Sequence, residues 1–314
     1  MKQKSKVTVS NNIIVLAALI IMCVILAIVS PYFATKKNLI NIVLQASINA
    51  TLACGMTFVI LTGGIDLSVG SIVAFSGIIL GAMLKANFSL GVAVILCILL
   101  GGICGLINGL LVTAVNLPPF ISTLGMMSIA RGSALYISKG RAIAGFSGRL
   151  NFIGSGEILG IPFMIYIMII TFIIGWFILK YTKPGRYVYA IGGNVEATRL
   201  SGINVNFYTT MVYVICGLTA GIAAVLLTSR LDSAQPVAGE GYELDAIAAT
   251  VIGGTSLSGG EGHLSGTIIG ALIIAVLNNG LNLLNVSSYI QQIVIGVVII
   301  LAVTVDRVRS KHNR

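Results

Sequence analysis

Apolar residues run along this chain in long blocks. Charge-free windows extend from Val7 to Thr35, Asn38 to Ile65, Leu67 to Leu84, Ala86 to Ala130, Ile158 to Leu179, Leu200 to Ser229 and Gly262 to Val305, the last interrupted only by His263. A helix of roughly 20 apolar residues crosses a bilayer, and two of these windows are long enough to cross twice. Glycine and proline divide the windows by supplying turns, close approaches and breaks. The pattern predicts about ten helices, near 13–29, 40–62, 69–84, 90–113, 117–137, 163–180, 209–228, 243–258, 264–284 and 288–305. The eighth is short enough to be broken or re-entrant. The expected fold is an all-α polytopic membrane protein, with residues 1–314 forming one transmembrane domain.

Composition agrees: 57% of the residues are hydrophobic and 9% charged, against about 25% charged in soluble domains. Orientation follows from Lys and Arg, which favour cytoplasmic loops. A cytoplasmic N-terminus puts Lys2, Lys4, Lys6, Lys180, Lys183, Arg186, Arg199, Arg307, Arg309, Lys311 and Arg314 inside. Lys36, Lys37, Lys85, Lys139, Arg141, Arg149 and Arg230 then fall outside. An even number of spans keeps both basic termini cytoplasmic. The net charge of +10 thus reads as topology and contact with anionic lipid. It does not indicate nucleic-acid binding, because the basic residues are scattered over loops.

The N-terminal lysines and apolar run resemble a signal peptide, but no A-x-A site follows, so an uncleaved first span is expected. Cys23, Cys54, Cys97, Cys104 and Cys216 all fall in apolar segments without C-x-x-C spacing and read as small buried hydrophobes. Glycines recur every fourth position at Gly77 and Gly81, at Gly101, Gly105 and Gly109, at Gly217 and Gly221, and at Gly262, Gly266 and Gly270. In lipid such faces let helix backbones pack closely.

Polar residues inside the spans need partners or a wet cavity. Gln45 and Asn49 share a helix face; Asn108 ends another helix; Asn278, Asn279 and Asn282 cluster on a third, with Gln291 and Gln292 beyond. Interhelical hydrogen bonding explains any one of them. Together, uncharged amides suit a translocation path for a neutral, hydroxyl-rich solute. Arg131, late in the fifth helix, is expected to snorkel outward.

Asp66 is the only acidic residue in the first 156 positions. It lies in "GGIDLSVG" (63–70), which is echoed by "GGTSLSGG" (253–260). Paired glycines before L-S fit a sharp helix break, with Ser68 or Ser258 capping the following helix and Asp66 facing the positive N-terminus of the helix near Val69.

No G-x-x-x-x-G-K-[ST] occurs, so the chain has no Walker site for a nucleotide. "LSGGE" (257–261) imitates an ATPase signature, but apolar spans flank it and no phosphate loop precedes it. His263 and His312 lack a neighbouring nucleophile or ligand set, so neither an enzyme nor a metal site is supported. An energy source has to be an ion gradient or a partner. The cytoplasmic loop over 181–208 points to a partner. It opens with a Pro184-Gly185 turn, then carries a short helix signal: Asn194 as N-cap, Glu196 in the first turn and Gly202 as stop.

"EATRLSG" resembles the E-A-A-x-x-x-G coupling motif of bacterial importer permeases, with Thr198 at the second Ala and no downstream Leu-Pro. With "GMTFVILTGGIDLSVGSIVAFSG" (55–77), "AIGGNVEATRLSGINV" (190–205), "SAQPVAGEGYELDAIAATVIGGTSLSGGEG" (233–262) and "LNNGLNLL" (277–284), the chain resembles permeases of ATP-binding cassette importers for sugars, most of all the ribose type. Allose, galactose-type and autoinducer-2 permeases share much of the same text. The resemblance implies a homodimer of permeases, a partner ATPase that holds ATP and Mg, no cofactor on this chain, and a soluble sugar-binding protein. It makes Asn194, Glu196, Ala197, Arg199 and Gly202 the coupling element. The outer loops Ser138–Ile161 and Ser229–Glu243 would receive the binding protein, through Asp232, Glu240 and Glu243. A secondary transporter is the rival reading. It requires transport by the chain alone and intramembrane carboxylates, for which only Asp66 and Asp245 are available.

Overall fold

The computed structural model describes residues 11–146 and 148–312. Lys2, Lys4, Lys6 and Arg314 of the topological reading lie outside the described residues, as do the side chains of Arg307, Arg309 and Lys311. The helices are α1 (Asn11–Val29), α2 (Lys36–Leu61), α3 (Val69–Lys85), α4 (Leu90–Thr113), α5 (Pro119–Ser138), α6 (Asn151–Ser155), α7 (Phe163–Tyr181), α8 (Lys183–Gly193), α9 (Val195–Leu200), α10 (Val205–Leu231), α11 (Tyr242–Ile252), α12 (Leu264–Leu283) and α13 (Ser288–His312). Two-residue strands complete it: β1 (Ile143–Ala144) pairs antiparallel with β4 (Ser233–Ala234), and β2 (Glu157–Ile158) with β3 (Ile161–Pro162).

Among the described residues, six helices are long and apolar enough to cross a membrane: α2, α4, α5, α7, α10 and α12. Shorter apolar stretches lie in α1, α3 and α13. The molecule is a polytopic helical membrane protein. Its central post is α2, 83% of whose apolar window is buried, against 28% for α5 and α7 at the periphery. Alanine, threonine and glycine along "ASINATLACGMT" (46–57) leave room for neighbours on every side of that post. Thr57 and Thr267 join α2 to α12 by a hydroxyl pair at 2.9 Å.

The glycine ladders do the packing predicted for them. A Cβ on Gly101 or Gly105 of α4 would collide with the backbone of Gly217 or Tyr213 on α10, and one on Gly221 with Ile98. With apolar side chains gaining little from one another in lipid, this backbone proximity supplies the van der Waals contact. Gly270 meets Ala249 of α11 in the same way. Cys54, Cys97, Cys104 and Cys216 are buried and Cys23 is half-buried.

The described basic residues of the two sets lie toward opposite ends of the bundle. At the α8 end, Tyr189 donates to Gly262 O (2.8 Å) and Asn206 Nδ2 to Thr113 O (3.3 Å). At the β end, Lys85 Nζ donates to Gly145 O (2.8 Å), Arg149 Nη1 to Phe88 O (3.2 Å) and Arg230 Nη2 to Asn41 Oδ1 (2.7 Å).

Between α10 and α12 the chain departs from a simple hairpin of spans. Ala234 lies against Gly81 near one end of α3, and Gly239 against Gly70 near the other. These two contacts lay the segment after β4, a series of turns over 236–241, alongside α3 and into the bundle. The half-helix α11 then continues to the α8 end. The segment Ser229–Glu243 is therefore largely folded into the bundle instead of forming the predicted outer loop. Arg131 corrects a second expectation. Its Nη1 donates to Pro236 O and Ala238 O, both at 2.8 Å, so it turns inward and satisfies two carbonyls of the turns over 236–241.

Candidate functional site

The two glycine-rich echoes are both helix ends with the same local chemistry. Helix α2 stops at Leu61: Gly63 takes φ 78°, its N–H donates to Ile60 O (2.8 Å), and Gly64 N–H donates to Val59 O (3.1 Å). Helix α11 stops at Ile252: Gly254 takes φ 91°, its N–H donates to Val251 O (2.8 Å), and Thr255 N–H donates to Thr250 O (3.1 Å). A left-handed glycine followed by a six-residue closing bond is a Schellman end. Just beyond, Asp66 Oδ1 accepts from Ser68 N–H (2.9 Å), and Ser256 Oγ accepts from Ser258 N–H (3.3 Å). Each polar side chain thus turns the backbone two residues on.

The capping expectation needs correction. Ser68 precedes α3, but its hydroxyl donates to Asp66 Oδ1 (2.6 Å) and accepts from Asn108 Nδ2 (2.9 Å), leaving no side-chain cap. Asp66 out-competes it because a carboxylate is the stronger acceptor. Ser258 caps nothing, because α12 begins six residues later at Leu264, behind His263. Asp66, Ser68 and Asn108 form one fully buried cluster joining the first break to α4.

The two breaks meet. Gly260 N–H donates to Leu61 O (2.9 Å). A Cβ on Gly192 of α8 would strike Leu61 O and Gly260 N, and one on Gly259 would press on Gly63 N and Gly192. Three backbones touch at this point. "LSGGE" therefore serves as a structural joint, its two glycines at φ 81° and 77°.

Directly after that joint comes α9. Asn194 Oδ1 accepts from Ala197 N–H (2.9 Å), and Gly202 ends the turn at φ 78°. Glu196 and Arg199 pair at 2.6 Å, both well exposed, which contributes little stability. Thr198 is buried, while Leu200 is 88% exposed. The expected Pro184-Gly185 turn is instead the first turn of α8, where a proline's missing N–H has no consequence.

The remaining predicted residues separate. Asn49 Nδ2 donates to Asp245 Oδ2 (3.2 Å), tying α2 to α11 within the bundle. Asn38 and Asn279 exchange hydrogen bonds of 2.9 and 2.8 Å between α2 and α12. Asn282 Oδ1 accepts from Gln291 Nε2 (2.8 Å), and Asn278 is buried. The amides of Asn49, Asn279 and Asn282 thus fasten helices to one another, while the buried Asn278 Oδ1 has no hydrogen-bond partner among the described residues. Asp232 is exposed at the end of α10, Glu240 is exposed, and Glu243 is half-buried beside Gly70. Sequence reasoning missed the Arg131 grip. The non-periodic "AQPVAGEG" (234–241) was the available signal.

A helical bundle with broken spans and a small capped helix projecting from one end has the form of a membrane permease. The chain belongs to the family described as branched-chain amino acid transport system / permease component, whose model matches residues 38–303. It is 50% identical over 295 residues to the ribose import permease protein of Escherichia coli K12, covering 93% of this chain and 92% of that one. The ribose import permease protein of Bacillus subtilis is 49% identical over 93% of this chain and 91% of its own length. The D-allose transport system permease protein of E. coli K12 is 42% identical, with coverage of 93% and 91%. No solved structure matches the chain.

Proposed function

We propose that this chain is the membrane-spanning subunit of an ATP-binding cassette importer that admits ribose. The observation that carries the reading is half-identity, over nearly the full length of both chains, to ribose import permeases of two distant bacteria. In this reading ten segments cross the membrane, the eighth being the turn-rich 233–241 stretch plus α11, and both termini are cytoplasmic. The α8 end faces the cytoplasm. Two copies enclose the pathway, and the chain itself binds neither ATP nor Mg.

Helix α9, with Asn194, Glu196, Ala197, Arg199 and Gly202, docks on the ATPase. Support comes from its projection, its exposed Leu200 and its attachment through Gly192 to both helix breaks. A sugar-binding protein meets the β end, where Asp232 is exposed, while Glu240 and Glu243 lie further along the inward-running segment. The buried Asp66, Ser68, Asn49 and Asn108 shape the helices around the pathway; Asn278, Asn279 and Asn282 hold α12 at the β end.

The test is reconstitution of the chain with its ATPase and a ribose-binding protein. Ribose-loaded binding protein is expected to stimulate both labelled uptake and ATP hydrolysis. Uptake driven by an ion gradient without ATP, or stimulation only by another solute, would overturn it.

A further inference from the structure

Helices α7 and α12 leave a groove open on the outside of the bundle. Its membrane-facing part, about 240 Å³, is lined by Met168, Phe172, Ile173 and Trp176 of α7 and by Leu264 and Ile268 of α12. Trp176 and Leu264 also line a second cavity of about 350 Å³ at the α8 end, where the walls become polar with Lys180, Tyr189 and His263. The two spaces share Trp176 and Leu264 as walls, and their linings on α7 run from Met168 to Lys180, about 18 Å along a helix.

The polar end sits at the level of a membrane–water interface. Trp176, Phe177 and Tyr181 are exposed around it, as interfacial aromatic belts are. Lys180 Nζ lies 5.1 Å from the Trp176 ring and 5.4 Å from that of Tyr181, which holds the ammonium over the groove mouth. Among the described residues Lys180 has no carboxylate partner; the ion pair found there is Glu196–Arg199. Tyr189 is fixed by its bond to Gly262 O. His263 is exposed at the start of α12, ready to donate an N–H. Lys183 and Arg186, both exposed, follow on α8 and add to the positive field.

An apolar trough the length of an acyl chain, ending at an unpaired ammonium and an imidazole at headgroup depth, has the chemistry of one kind of occupant. We propose that this groove binds an anionic phospholipid of the leaflet at the α8 end, one acyl chain lying between α7 and α12 and the phosphate meeting Lys180 and His263. A zwitterionic lipid fits the trough equally well but carries its own ammonium against Lys180. A free phosphate would leave the trough unused. The site adjoins α8, whose far end touches both helix breaks, so an occupying lipid braces the element that leads into α9.

The experiment uses the full chain in micelles with equal phosphatidylglycerol and phosphatidylethanolamine, followed by native mass spectrometry of the retained lipid. Phosphatidylglycerol should be retained preferentially, and Lys180→Gln should lower that preference about fivefold, the factor one basic residue near an anionic surface contributes. Lys180→Arg should preserve it, and Lys139→Gln, at the β end, should leave it unchanged. Ala in place of Phe172 or Ile173 should weaken retention of both lipids. Equal retention of the two lipids, indifference to Lys180→Gln, or displacement of phosphatidylglycerol by glycerol 3-phosphate would overturn the proposal. These readings involve no sugar and no ATPase, so they stand apart from the transport assignment.

Discussion

Asn49 on the central helix α2 donates to the Asp245 carboxylate on α11 at 3.2 Å, with both residues buried. This bond fixes a half-helix of eleven residues that has too little length to anchor itself across the membrane. Asn49→Leu leaves a buried carboxylate without that donor, which costs about 1–3 kcal/mol. The expected result is a lower melting temperature in detergent for Asn49→Leu, largely restored by adding Asp245→Leu. Equal destabilisation by the single and double variants would show that the two residues act independently.

Asp66 accepts two hydrogen bonds from Ser68 through one oxygen. Asp66→Asn retains an acceptor and removes only the charge advantage, about 0.3–1 kcal/mol at a helix N-terminus. Asp66→Lys buries an uncompensated cation, a change of several kcal/mol. Size-exclusion profiles in detergent should show a folded Asn variant and an aggregated Lys variant.

Gly192 and Gly193 give a paired test of the joint between the helix breaks. A methyl at 192 meets the Leu61 carbonyl, whereas one at 193 meets nothing within 4 Å. Gly192→Ala should therefore destabilise by about 1–3 kcal/mol and reduce stimulated ATP hydrolysis in the assembled importer. Gly193→Ala should behave as the parent in thermal melts and in the ATPase assay.

Leu200 is almost wholly exposed, so Leu200→Asp should leave the chain's own stability within about 0.5 kcal/mol of the parent. If α9 is the docking element, the same change should abolish co-purification with the ATPase. Glu196→Arg replaces the ion pair on α9 with two like charges and should likewise uncouple hydrolysis from uptake without affecting membrane insertion.

Most of the helical architecture was legible because lipid imposes a length and a polarity on each span. Helix α4 begins and ends where the apolar window and its flanking polar residues put it, and α9 carries its cap and stop in sequence. The deviations come from backbone chemistry that composition does not report. The predicted 243–258 helix ends early because Gly253-Gly254 closes a Schellman turn. Helix α8 was read as a turn because Pro-Gly suits both a turn and a first helical turn. The span pattern put residues 229–243 in an outer loop, but Arg131, more than a hundred residues earlier, holds the carbonyls of Pro236 and Ala238. Such pairings across the bundle are tertiary, and no local pattern announces them.

The segment of turns alongside α3 also bears on how the protein is made. A segment carrying Glu240, Glu243 and Asp245 with a helix of only eleven residues is too short and too polar to leave the insertion machinery as an autonomous span. Its unpaired carbonyls become tolerable in the bilayer only once neighbouring protein supplies donors. This segment is thus threaded after α3 and α5 already stand in place, and biogenesis of the second half of the chain waits upon the first.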